Sequence, residues 1–216
     1  MPSTRISCIL FDLGNVVVSV DASRIFATLA ERCGQNPSKI ERTLLGDSAW
    51  WHHFSMTHFS NESVAAWVNE RLMTELPSMA IIDAFNAELG PAIHTTCDLL
   101  PSLRQQVVLG CLSNTNSIHW EQLHQQYDFM DQFAYRFASQ EMGVAKPSPA
   151  IYQQAAQALD MSPSEILFFD DRAENVAAAA DLGWQARQYT THEQLVADLE
   201  DMGFMVEGDG TRIGGE

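Results

Sequence analysis

Apolar positions follow two different periods along the chain. Residues 6–11 (ISCILF) form a short, near-continuous apolar run, which suits a buried strand of a parallel sheet covered on both faces. The run stops at one acidic side chain, Asp12, which falls at the carboxyl end of the strand. Gly14 and Asn15 follow, and both tolerate positive φ, so a sharp turn is predicted that aims backbone groups back over Asp12. Taken alone, the segment fits two roles for Asp12: a site carboxylate, or the cap of an Asx-type turn.

Beyond Val18 the spacing becomes helical and stays so for most of the next seventy positions. Ile25, Phe26, Leu29 and Ala30 predict a helix to about Cys33, with Asp21 as its cap and Gly34 as its stop. Residues 37–45 predict a second helix, opened by Pro37 or Ser38 and followed by Gly46. Trp50, Trp51, Phe54 and Phe59 form an aromatic cluster suited to packing a small helical unit. Another helix is predicted from 60–63 onward, carrying Val64, Trp67, Val68, Leu72 and Met73, and one more over 78–89, broken by Gly90-Pro91. No strand is predicted here, so residues 20–91 read as an all-helical insert placed directly after the first strand.

From Thr95 helix and strand alternate, as in a doubly wound parallel sheet. A helix over 95–105 precedes a strand over 107–112 that ends in Ser113-Asn114-Thr115-Asn116. A weaker strand at 135–138 precedes a loop over 143–149 that holds Lys146, and then a helix over 149–159. A strand over 166–169 ends in Asp170-Asp171, an alanine-rich helix spans 173–182, and a last strand (184–189) and helix (192–202) follow. Residues 1–19 and 92–206 thus make one α/β core, and the Gly-rich, acidic stretch 207–216 reads as a mobile tail.

Composition narrows the classes. At 216 residues and 46% hydrophobic content the chain buries a real core. No apolar run nears the roughly eighteen residues of a membrane span, and the opening MPSTRISCIL lacks the pattern of a signal peptide, so a cytoplasmic protein with no membrane partner is expected. Four cysteines, Cys8, Cys33, Cys97 and Cys111, show no CxxC pairing and suggest neither a zinc site nor a disulfide framework. A formal charge of −16 with no basic stripe excludes a nucleic-acid partner. The same charge sets a requirement: an anionic substrate needs a bound cation and local basic groups to reverse the field.

Three strands end in polar residues, Asp12, Ser113-Asn114 and Asp170-Asp171, and parallel strands bring such ends into one crevice. Asp12, Asp170 and Asp171 together cannot stay ionised without a compensating cation. Few, hard oxygen ligands suit magnesium (Mg2+) that keeps waters and takes a phosphate oxygen. Lys146 and the Ser113 hydroxyl then supply charge and a donor to that phosphate.

On these residues the chain resembles the haloacid dehalogenase superfamily of hydrolases, in particular its small-molecule phosphatases with a helical cap. The resemblance implies a Rossmann-like α/β core with the cap at 20–91. FDLGNV resembles the first motif, implying that Asp12 is the nucleophile that becomes an aspartyl-phosphate. LSNTN resembles the second, with Ser113 and Asn114 as the phosphate-contacting pair. AKPSPAIY resembles the third, with Lys146 holding nucleophile and phosphate. FFDDRAEN resembles the fourth, where Asp171 binds the metal directly, Asp170 directly or through water, and Asn175 supports them.

One departure stands out. Where the family's phosphatases usually carry a second Asp as general acid and base, this chain has Gly14, whose carbonyl can ligate the metal but cannot move a proton. Such proton transfer is typically worth about two to four powers of ten in rate. The site would therefore be slow, borrow another group or an ordered water, or suit good leaving groups such as sugar 1-phosphates or acyl phosphates. FDLGNV is similar to relatives grouped with glucose-1-phosphate-type phosphatases, which favours retained activity on a sugar phosphate or similar metabolite. Two other readings follow from the same position: a weak or inactive binding protein of this fold, and a metal-free dehalogenase. For substrate choice, Arg24, His52, His53, Trp50 and Trp51 are the candidates, and a monomer or homodimer is expected.

Overall fold

The opening apolar run forms β1 (Cys8–Phe11), with all four residues buried. A computed structural model describes residues 5–206, and the tail expected at 207–216 lies outside the described residues. After β1 come a short strand β2 (Val18–Val20) and the helices α1 (Ser23–Cys33), α2 (Pro37–Leu45), α3 (Ser48–Phe54), α4 (Asn61–Leu72) and α5 (Ser78–Asn86). Then follow β3 (Leu89–Ala92), α6 (His94–Cys97), α7 (Leu100–Arg104), β4 (Val108–Ser113), α8 (Ser117–Gln126), β5 (Tyr135–Ala138) and α9 (Ser139–Met142). The chain continues through α10 (Pro149–Leu159), β6 (Ile166–Asp170), α11 (Ala173–Asp181), β7 (Gln185–Gln188) and α12 (His192–Asp201).

Five of the strands form one sheet in the order β5-β4-β1-β6-β7, and every pairing in it is parallel. β1 lies at the centre, with Cys8 opposite both Val108 and Ile166. Because side chains alternate across a strand, Ile9 and Phe11 join Leu109, Cys111, Leu167 and Phe169 in one core. Cys8 and Leu10 join Leu112, Ile166 and Phe168 in the core of the opposite face. The helical block has a third core of its own, in which Ile25, Leu29, Ile40, Val64, Val68 and Phe85 are buried together. The predicted packing role of the aromatic cluster agrees with its geometry: Trp50 stacks on Trp67 at 3.7 Å between centroids, and Trp51 stacks on Phe85 while its indole N–H donates to the Leu44 carbonyl.

Several elements differ from the sequence expectation. The helix expected over 78–89 stops at Asn86, and Leu89–Ala92 pairs antiparallel with Val18–Val20. A Pro and a Gly in a four-residue segment read as a breaker, yet here they sit in a two-stranded ribbon where a Cβ on residue 90 would collide with the Ser19 hydroxyl. The helix expected over 95–105 is two short helices, the second carrying Pro101 in its first turn. α3 and α8 were not expected as helices. Asp47 caps the first and Asn116 the second, each accepting from a backbone N–H three residues on. The turn after Asp12 places Asn15, not Gly14, at positive φ (56°).

Gly110 lies where β4 passes between β1 and β5. A Cβ there would stand 2.6 Å from Leu10 Cδ2 and 2.8 Å from the Tyr135 carbonyl oxygen. Gly110→Ala is therefore expected to destabilise the fold by about 1–3 kcal/mol through overpacking, read as a lower midpoint in urea or thermal unfolding. An unchanged midpoint would mean that β4 shifts freely off β1.

Candidate active site

Three strand ends converge. β1 delivers Asp12, β4 delivers Ser113 and β6 delivers Asp170 with Asp171 just beyond it. One carboxylate oxygen from each of Asp12, Asp170 and Asp171 lies within 4.8 Å of the others. Lys146 reaches in from the loop before α10, with Nζ 3.0 Å from Asp12 Oδ1 and 2.6 Å from Asp170 Oδ2, and it donates to the Leu112 carbonyl at 2.8 Å. Its side chain is 1% exposed and that of Asp170 is wholly buried, so solvent does not screen this pairing.

Each group is held by short-range structure. The Asp12 carboxylate accepts from the Leu13 N–H. Asp170 accepts from the Arg172 backbone N–H and from the Asn175 amide, which reaches both of its oxygens. Asn114 also holds the loop that carries Lys146. Its side chain accepts from the Lys146 backbone N–H and donates to the Lys146 carbonyl, both at 2.8 Å, and so pins the loop that aims the ammonium. Burial pushes the Asp12 carboxyl well above the usual carboxylate range, with Lys146 pulling it back and Asp170 adding to the rise. Asp171 is raised by burial and by Asp170, and the Asn15 side chain opposes that rise.

Charge and donor type decide what this cluster can hold. Three carboxylates and one ammonium leave two negative charges uncompensated when all are ionised, at the mouth of the crevice. Hard oxygen donors in that balance fit a divalent cation such as magnesium. A cavity of about 190 Å³ opens above the cluster, lined among others by Asp12, Ser113, Asn114, Lys146 and Asp171. Gly14 lines it too. Its φ is not left-handed, and a Cβ there would meet only Val20 Cγ2, at 3.4 Å, so backbone geometry does not require glycine.

Two titratable groups on the cavity wall carried no sequence signal. Glu88 precedes β3, in a stretch that reads as the end of a helix, and His119 lies on the unexpected α8. Burial raises the Glu88 carboxyl to about 7, with Asp21 adding to the rise. His119 is pushed down to about 4 by burial. Arg24, His53, Trp50 and Trp51 do not line the cavity. His52 borders a neighbouring pocket with Asn114 and Lys146.

A central parallel sheet with acidic groups at its strand ends defines an α/β enzyme of the kind that works at that sheet edge. Residues 6–183 match the model of the haloacid dehalogenase-like hydrolases, and the chain belongs to that family. It is 28% identical over 220 residues to a Mycobacterium tuberculosis protein named as a phosphatase, covering 95% of this chain and 99% of that one. A family enzyme of Bacteroides thetaiotaomicron, whose crystal structure holds magnesium and inorganic phosphate, superposes with a TM-score of 0.77 at 26% identity. That match covers 86% of this chain and 94% of the other. The L-2-haloacid dehalogenase of Xanthobacter autotrophicus shares the fold at 16% identity, with a TM-score of 0.63 over 93% of this chain and 84% of that one. Among the described residues no helix is long and apolar enough to cross a membrane.

Proposed function

We propose that the protein is a magnesium-dependent phosphatase that hydrolyses a small phosphorylated metabolite through an aspartyl-phosphate on Asp12. The observation that carries this reading is the gathering of Asp12, Asp170 and Asp171 around buried Lys146 at the ends of parallel strands. The phosphatase name of the mycobacterial relative and the magnesium and phosphate in the Bacteroides enzyme support it.

In this reading an Asp12 oxygen attacks phosphorus in line with the departing oxygen, splitting one hard transfer into two easier ones. Lys146 and the Ser113 hydroxyl hold the phosphoryl oxygens, while Asn114 keeps the Lys146 loop in place. Asp12, the Gly14 carbonyl, Asp170 and Asp171 would hold magnesium, which when bound neutralises charge on the phosphoryl oxygens. Residues 20–91 act as a cap on the core made by 5–19 and 92–206, excluding bulk water. The dehalogenase alternative leaves the close approach of Asp170 and Asp171 to Asp12 without a use.

The test is phosphate release from p-nitrophenyl phosphate and a set of sugar phosphates, with magnesium and with chelator. Turnover that needs magnesium is expected, and preference within the set names the substrate class. A folded protein that binds magnesium and turns over nothing would favour a binding role instead.

A further inference from the structure

We propose that Glu88 gives the leaving oxygen its proton and then takes one from the attacking water, which deepens the phosphatase reading and rests on it. An alkoxide is a poor leaving group, so a proton must come from a group facing the cavity. Among the described residues, six titratable side chains line it: Asp12, Glu88, His119, Lys146, Asp171 and Arg172. Asp12 and Lys146 are tied to each other, and Asp171 belongs to the acidic cluster with Asp12. An arginine does not release its proton. Glu88 and His119 remain.

The hydrogen bonds around His119 settle its state. Asn116 Oδ1 accepts the His119 backbone N–H as the helix cap, which leaves the amide nitrogen facing His119 Nδ1 at 3.0 Å. An amide NH₂ only donates, so Nδ1 is the acceptor and carries no proton. Nε2 then bears the hydrogen and donates to the Phe85 carbonyl at 2.9 Å, with Glu88 Oε2 at 3.5 Å. The ring is neutral and committed, in line with its low pKa. His119 is thus a positioning residue that presents an N–H beside the Glu88 carboxyl, and Glu88 keeps the proton.

Glu88 also has a path to the right place. Leu89 pairs with Val20 across the ribbon, and Val20 Cγ2 is the atom a side chain on residue 14 would touch. Glu88, Gly14 and Asp12 line the same cavity, with Leu89 of the ribbon on its wall as well. Around Glu88 stand Asp21 ahead of α1 and His119 on α8, with Asp12, Asp171, Lys146 and Arg172 elsewhere on the cavity wall. A carboxyl raised to about 7 is protonated often enough to donate and ionised often enough to accept. In the first step the Asp12 O–P bond forms, the P–O bond to the leaving group breaks, and the Glu88 proton moves to that oxygen. In the second, water attacks phosphorus, its proton passes to Glu88, and Asp12 and inorganic phosphate separate.

The experiment compares parent, Glu88→Gln and the double variant Gly14→Asp with Glu88→Gln, in magnesium, on p-nitrophenyl, phenyl and p-methylphenyl phosphates. For Glu88→Gln, kcat/KM is expected to fall about 100-fold on the methylphenyl ester. The loss on the nitrophenyl ester, whose phenolate departs unaided, is expected to be at least about ten-fold smaller. Asp at position 14 should restore most of the loss. The parent's kcat/KM on the methylphenyl ester should decline above about pH 7, and the variant's should not. Should Glu88→Gln fail to fold, Glu88→Asp, with its carboxyl drawn back one methylene, should show the same dependence on leaving group. Equal losses on all three esters, or no loss, would overturn the role of Glu88 while leaving the phosphatase reading standing. A parent that turns over none of them would overturn both.

Discussion

Asp12→Asn is expected to abolish phosphate release, by at least about four powers of ten, and to leave the fold intact. An amide oxygen is a poor nucleophile toward phosphorus, so no acyl phosphate forms. The structural cost is small because Asn retains an oxygen for the Leu13 N–H. Lys146 meanwhile keeps Asp170 and the Leu112 carbonyl. Removing one of three crowded carboxylates also relieves repulsion, so in chelator the variant should melt at or above the parent's temperature. Phosphate release and thermal unfolding read the two halves separately. Parental turnover in the variant would move the nucleophile to another residue.

Lys146→Met should do the opposite and damage the fold together with the activity. The ammonium is the only cationic side chain within salt-bridge distance of Asp12 or Asp170 among the described residues. Breaking a buried pair by removing one partner typically costs about 3–5 kcal/mol, because it leaves an uncompensated buried charge. In a chain of this size that lowers the melting temperature by on the order of 10 °C. Magnesium should return part of the loss, since a cation in the acidic cluster replaces the missing charge, so the variant should gain more from magnesium than the parent does. A variant melting with the parent in chelator would show that the ammonium contributes nothing to holding Asp12 and Asp170 together.

The sheet and its acidic edge were legible because parallel strands buried on both faces must be apolar throughout, and a charged residue can stand only where they end. That rule places Asp12, Ser113 and Asp170 at strand ends from the sequence alone. Lys146 was legible through its motif, although its burial between two carboxylates was not. The ribbon was hidden because β2 and β3 are three and four residues long, too short for a two-residue period to show. α8 was hidden because its sequence, SIHWEQLHQQ, is largely polar and its placement rests on the Asn116 cap and on contacts from both sides. Glu88 and His119 were invisible for the same reason, since each acquires its character from burial against residues far away in sequence. The bonds of Asn114 to the Lys146 loop were hidden, because a side chain that clamps a loop looks the same in sequence as one that binds a ligand.

The central place of β1 has a further consequence for how the protein is made. Cys8 pairs with Val108 and Ile166, which leave the ribosome 100 and 158 residues after it. At roughly 5–20 residues per second, the second neighbour arrives some 8–30 s after the first strand. In that interval the helical insert has all of its buried core available except Ile118. The strand that ends in Asp12 is thus synthesised before the other four strands of its sheet, yet it is flanked on both sides only once β6 has followed. Assembly of the site therefore waits for β6, and no fragment that stops short of β6 carries it.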